Sequence, residues 1–261
     1  MRRFPLLIAA LFLAAACVGH PADDEDDPTP SQPDVTDPSG DDDPAADNTA
    51  PSLVLDFTAT WCVNCPRMAS AIEEVAQERP GKIVSVGVHY HDAMSCAEGE
   101  TMAQDFAIQA YPSLIVNLDP ASLMTATSKD LLLSRLDATT EGRKAPCAIS
   151  IGGTLSQLTV CVTAAEKGHY KLGVVLVEDG LVAAQTGGTE DYVHNAVLRK
   201  LVSATLSGDE LGELEAGASA QKEYSVEVAA SAAEGYRIIA FVTDSDQGGK
   251  VNTVKDEKMG E

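Results

Sequence analysis

The hexapeptide Trp61-Cys62-Val63-Asn64-Cys65-Pro66 constrains this chain more than any other feature, because it sits where one pattern changes into another. Before it, Ser52 to Phe57 (SLVLDF) is a short apolar run, readable as a buried strand. After it, Met68, Ile72, Val75 and Ala76 recur on one helical face, and Arg79-Pro80-Gly81 stops the helix. Pro66 fits the first helical turn, where its missing N–H costs nothing. A second strand follows over Lys82 to Val88, a helix over Gly99 to Ile108, and a third strand over Leu114 to Leu118. Asp119-Pro120-Ala121 reads as a turn into a short strand around Leu123 to Thr127, and Lys129 to Leu136 as a Leu-rich closing helix. The order is βαβ followed by αββα, an α/β domain over residues 51–142.

Two thiols at a strand-to-helix junction have a clear chemical use. The thiolate is the attacking species in disulfide exchange. Unpaired N–H groups and the helix dipole at a helix N-terminus stabilise negative charge, which favours a thiolate at Cys62. Cys65, one turn on, is placed to attack a mixed disulfide. Cys62 is therefore the candidate nucleophile and Cys65 the resolving thiol. A zinc site is the alternative, since His89 and His91 alternate at the end of the second strand and would join the two cysteines as ligands. There is no second CxxC, and CxxC on a βαβ pattern reads as redox.

Asp56-Phe57, Trp61-Cys62-x-x-Cys65-Pro66 and Tyr111-Pro112-Ser113 together resemble the thioredoxin superfamily. The resemblance implies a cis bond before Pro112, packed opposite the dithiol, with Trp61, Tyr111 and Pro112 lining a substrate groove. It implies that Asp56 is the buried proton acceptor for the resolving cysteine. The lysine that often accompanies this acid has no counterpart in Lys82 to His89 beyond Lys82 itself. The first strand and helix of a full thioredoxin are missing, so a trimmed version is expected.

The N-terminus is a targeting segment. Arg2 and Arg3 precede an apolar run, Phe4 to Ala16, too short to span a bilayer. Ala14-Ala15-Ala16-Cys17 resembles a lipobox, implying cleavage and lipidation at Cys17; an ordinary signal peptide is the alternative. Residues 18–50 hold eleven acidic residues, six prolines and no Lys or Arg. Such a segment buries too little to fold and its charges extend it, so a spacer is expected. Its acidic run also resembles the export signals of surface lipoproteins. Setting aside the leader's two arginines and the spacer's eleven acids reduces 18 basic and 40 acidic residues to 16 and 29, a net −13 from Pro51 onward. An acidic body argues against nucleic acid as partner and against a polybasic membrane patch. No nucleotide, haem or flavin motif is visible, and no cofactor is expected.

From Ala145 the pattern changes. Cys147 to Ile151, Leu158 to Val162, Tyr170 to Leu181, Glu223 to Val228, Tyr236 to Val242 and Lys250 to Val254 read as short strands between turn signals. They predict an all-β, immunoglobulin-like sandwich over 145–256. Asp191 to Val202 reads as a helix, with Arg199 capping or pairing. Cys147 and Cys161 are candidates for a disulfide across the first hairpin, although their parity places them on opposite faces. Cys96 has no evident partner.

The stretches Asp56-Phe57-Thr58, Cys62-x-Asn64-Cys65-Pro66, Val88-His89-Tyr90-His91, Tyr111-Pro112-Ser113 and Tyr192-Val193-His194-Asn195-x-Val197-x-Arg199 resemble the Bacteroidetes outer-membrane lipoprotein family related to the 28-kilodalton outer membrane protein. That resemblance implies an envelope lipoprotein, held to the outer membrane through lipid at Cys17. Two functions follow: thiol–disulfide exchange on exported thiol or disulfide proteins, or surface binding and adhesion by a domain that kept the fold but is not catalytic.

Overall fold

The computed structural model describes residues 50–140, 145–228 and 235–259. The leader with Cys17 and the acidic spacer lie outside the described residues, as does the junction at 141–144. In the first region the order is β1 (Ser52–Thr58), α1 (Cys65–Glu78), β2 (Ile83–His89), α2 (Ala97–Asp105), β3 (Ser113–Val116), β4 (Asp119–Met124) and α3 (Lys129–Thr140). The expected βαβ and αββα order is present. The β3–β4 turn differs from expectation: Asn117 and Leu118 both have positive φ and form the two-residue connection, so β4 begins at Asp119. Such turns match the twist of hairpin strands. Asn117 also ties down the start of β1, its Oδ1 accepting from the Leu53 amide at 2.9 Å.

The second region is strand-rich: β5 (Cys147–Thr154), β6 (Gln157–Ala164), β7 (Gly168–Glu178), β8 (Leu181–Ala183), β9 (Tyr192–His194), β10 (Val197–Leu201), β11 (Asp209–Leu214), β12 (Ser219–Tyr224), β13 (Tyr236–Asp244) and β14 (Val251–Lys258). The helix expected over Asp191 to Val202 is instead β9 and β10. Ala196, with φ +54°, breaks the stretch, and its amide donates to Asp179 Oδ1 at 2.7 Å. Asn195 Oδ1 accepts from the Gly180 amide. Val197 and Leu198 are both buried, Leu198 among Val86, Val88 and Val177. Arg199 does pair, with Glu178 at 3.3 Å. Glu223 to Val228 is strand only as far as Tyr224, and β11 fills a stretch read as connection.

The two regions share one sheet. Its order is β14-β13-β7-β10-β2-β1-β3-β4, with β11 also on β7. The junction is the parallel contact of β10 with β2, where the Gly87 amide donates to the Ala196 carbonyl at 2.8 Å. A second sheet, β12-β6-β5, packs over β7 and β13 to complete a sandwich. Alternation assigns the side chains of the shared strands. Val174 and Leu176 of β7, with Ile238 and Ala240 of β13, enter the sandwich core. Val175 and Val177, with Ile239 and Phe241, join Leu53, Leu55, Phe57 and Val88 in a layer that runs under both regions. On the other face of β1, Val54 packs with Met68, Val75 and Leu132 of α1 and α3.

Cys147 stands opposite Ala164 and Cys161 opposite Ser150, so the two side chains point to opposite faces. The Cys147–Cys161 disulfide is therefore not made, and Cys147 is free and buried.

Gly173 lies directly across from Phe241, whose ring covers it. A Cβ there would sit 2.1 Å from Phe241 Cε2. Gly173→Ala should displace the ring from the shared layer and destabilise the fold by about 1–3 kcal/mol. The measurement is the urea midpoint, which should fall with an unchanged slope.

Candidate functional site

The site is built at the C-terminal end of β1. The strand delivers Ala59-Thr60-Trp61 over the sheet edge, and the chain turns through Cys62-Val63-Asn64 into α1. Cys65 is the first helical residue and Pro66 follows it in the opening turn. Cys62 thus sits just ahead of the helix N-terminus, its carbonyl accepting from the Cys65 amide at 3.3 Å. No acidic residue lies in that first turn to offset the positive field. Cys62 and Cys65 are joined as a disulfide, 5.4 Å between Cα atoms, and both are buried (4% and 2% exposed). The Tyr111–Pro112 bond is cis.

An aromatic ledge borders the dithiol. Trp61, 48% exposed, meets Tyr111 edge-on with ring centroids 5.5 Å apart. Tyr111 stacks on Tyr90 at 5.1 Å, and His91 stacks on the other face of Tyr90 at 3.8 Å. Trp61 Nε1 donates to the Tyr90 carbonyl at 3.1 Å. Burial, then the nearby Tyr90 and Glu100, push the Tyr111 hydroxyl up to about 12. On the opposite side of Tyr111 and Pro112, a groove runs along Asn64, Arg67, Ala110 and Thr127. Trp61, Tyr111 and Pro112 are therefore brought together beside the dithiol.

Asp56 faces α1 from the middle of β1 and lines, with Cys65, a cavity of about 390 Å³ behind the disulfide. It is 7% exposed and its Oδ1 has no protein partner. Burial alone pushes its carboxyl up to about 7.

The two histidines of the zinc alternative diverge. β2 ends at His89, which turns inward, its Nδ1 2.7 Å from Asp92 Oδ2. His91, at φ +49°, turns out onto Tyr90. Burial raises the Asp92 carboxyl, but His89 and the amides of Thr60 and Met94 outweigh it and hold it at about 2. Cys96 precedes α2 and is half-buried, and burial pushes its thiol up, against thiolate formation.

The strand-rich region also reaches the site, through residues that sequence reasoning missed. At the tip of the β8–β9 hairpin, Gln185 Nε2 donates to the carbonyls of Cys62 (2.9 Å) and Ala59 (3.2 Å). The Thr186 amide donates to the Thr60 carbonyl at 2.8 Å. Gly187 presses on Val63 so closely that a Cβ would lie 2.2 Å from its carbonyl oxygen, and its φ is +81°. From the opposite side, Asp92 Oδ2 accepts from the Thr60 amide at 2.8 Å. The dithiol loop is thus clamped between the β2–α2 connection and the hairpin. Nothing local in Gln185-Thr186-Gly187 signals this, because its partners lie more than a hundred residues away.

Comparisons with known proteins agree with this geometry. The profile of the outer membrane protein Omp28 family matches residues 99–261, and that of thioredoxin matches residues 43–138. Thioredoxin of Methanocaldococcus jannaschii is 31% identical over 80 residues, covering 31% of this chain and 86% of that protein. Thioredoxin 1 of Nostoc sp. is 34% identical over 70 residues, covering 27% of this chain and 59% of that protein. Among solved structures, HBP35 of Porphyromonas gingivalis superposes with a TM-score of 0.63 at 17% identity, over 81% of this chain and 76% of that one. A protein of Agrobacterium tumefaciens gives 0.60 at 14% identity, over 83% and 97%. At such identities the two structures speak for the fold alone.

Two outcomes follow. Gln185→Ala removes the second donor from the Ala59 and Cys62 carbonyls, which keep the amides of Cys62 and Cys65, and should destabilise the oxidised protein by about 1 kcal/mol, read by urea unfolding with Trp61 fluorescence. Asp56 ionises near pH 4 in the unfolded chain and near 7 when folded. Between those values the folded state keeps a proton that the unfolded state has lost. Stability therefore falls as pH rises from about 4 to about 7 and levels off above. Asp56→Asn should abolish that fall, a contribution of up to about 4 kcal/mol, in unfolding curves taken across the range.

Proposed function

The chain belongs to the Omp28 outer membrane protein family, and we propose that it works there as a thiol–disulfide exchanger of the cell envelope, acting on exported proteins. The observation that carries this reading is the Cys62–Cys65 disulfide at the mouth of α1, with cis-Pro112 and the aromatic ledge beside it and a buried carboxyl behind it. Each part has a role. Cys62, ahead of the helix N-terminus, is the nucleophile in the reduced state. Asp56 accepts the proton of Cys65 when that thiol resolves a mixed disulfide. A value of about 7 suits such an acceptor near neutral pH. Trp61, Tyr111 and the groove past Pro112 offer a flat surface to an extended substrate segment. The leader supports anchoring through lipid at Cys17, with residues 18–50 as a spacer that lifts the folded part from the membrane.

A second reading is favoured by one observation. Both sulfurs are shielded, and the hairpin tip holds the dithiol loop by three hydrogen bonds. A binding module with a static disulfide fits this equally well.

The reduction potential of the Cys62–Cys65 pair, titrated in the folded chain with Trp61 fluorescence as readout, separates the two. Exchange predicts a value within about −120 to −270 mV, whereas a structural disulfide lies below about −300 mV. With exchange, Cys62→Ser should abolish activity and Cys65→Ser should accumulate mixed disulfides with envelope proteins. Full activity in Cys62→Ser would sink the assignment.

A further inference from the structure

The cavity behind the dithiol takes its walls from both regions of the chain. β1 gives Asp56, α1 gives Cys65, β2 gives His89 and β9 gives His194. Glu73 of α1, Tyr192 of β9 and Arg237 of β13 are the other titratable groups on the walls, and Asp92 lies behind His89. Two buried polar atoms of these residues have no protein partner: Asp56 Oδ1 and His194 Nε2. They come from segments well over a hundred residues apart. A polar cavity of this size accommodates water, which would bond to such atoms.

The state of His194 is legible from its surroundings. Burial, then the neighbouring His89, push its imidazole below the ordinary histidine range, so the neutral ring prevails near pH 7. The His194 ring stands on the cavity wall, with Nε2 buried and without a protein partner. His89 lies edge-on to it, with ring centroids 5.1 Å apart.

We infer that His194 is the proton relay of the dithiol, a positioning residue that acts on Cys65 through Asp56 and cavity water. The inference rests on the exchange reading above. In the resolving step, Cys62 is joined to a substrate sulfur. The Cys65 thiol gives its proton to the Asp56 carboxylate, and its sulfur bonds to Cys62 Sγ. The substrate sulfur leaves as a thiolate with the electron pair. The dithiol is oxidised by two electrons and the substrate disulfide reduced by two. The proton on Asp56 then leaves through cavity water by way of the His194 imidazole, whose transient charge is favoured by the Asp92 carboxylate.

The test uses the reduced full chain, with oxidised glutathione as probe. Formation and resolution of the Cys62–glutathione mixed disulfide are each followed against pH. His194→Gln should leave formation unchanged and slow resolution about tenfold or more. The inflection that Asp56 imposes on resolution should move to lower pH, because the protonated carboxyl loses its acceptor. In the unmodified chain, the His194 imidazole NMR signals should follow the Asp56 titration and lose that inflection in Asp56→Asn. A His194→Gln resolution profile that overlays the parent's overturns the relay and leaves exchange standing. So do imidazole signals indifferent to Asp56→Asn. If the parent forms no mixed disulfide at all, the exchange reading fails and the relay with it.

Discussion

An uncovered strand edge is the constraint on which this architecture depends. A strand with one row of free N–H and C=O groups is a template for unwanted pairing. β2 has that problem on the side away from β1, because the chain before β1 offers no strand to cover it among the described residues. β10 covers it. The contact is short, a single parallel bridge at Gly87 and Val197, yet it fixes much else. It places β7 and β13 in line with β1, so the layer of Phe57, Val88, Val177 and Phe241 becomes continuous. It brings β9 alongside the cavity behind the dithiol and carries the hairpin tip over the dithiol loop.

The site inherits its character from that geometry. A carboxyl buried without a partner is a standing cost, and the fold pays it at Asp56. Around it, the structure separates two kinds of polar group. Asp92, with four hydrogen-bonding partners, is locked as an anion that braces Thr60 and His89. Asp56 is left able to change protonation near neutral pH, while burial and His89 favour the neutral ring of His194. Environments that push neighbouring titratable groups apart in this way characterise sites that move protons.

Much of this was legible in the residues. The strand, dithiol and helix over 52–78 follow from local pattern, while the cis bond before Pro112 and the buried carboxyl of Asp56 follow from the thioredoxin resemblance. The reading failed where tertiary partners decide. Asp191 to Val202 has a spacing compatible with a helix, but β7 offers it an edge and Asp179 holds Ala196 in a left-handed conformation. The β3–β4 turn falls on Asn117-Leu118 rather than on Pro120 because Asn117 anchors β1. Gln185 and His194 carry no local mark of their positions. The stretch around His194 stood out only as a carrier of the family resemblance, and the sheet shows that it lies beside the cavity behind the dithiol.

The shared layer also bears on the order in which the molecule is made. Synthesis runs from the N-terminus, and long-range contacts form only once both partners exist. The dithiol loop and β1 emerge first, but the apolar face of β1 is completed by Val175, Ile239, Phe241 and Val254. The first region therefore waits, with its core open on one side, for nearly the whole chain to appear. Through that interval Cys62 and Cys65 belong to an unfinished surface, exposed to whatever oxidants surround the emerging polypeptide.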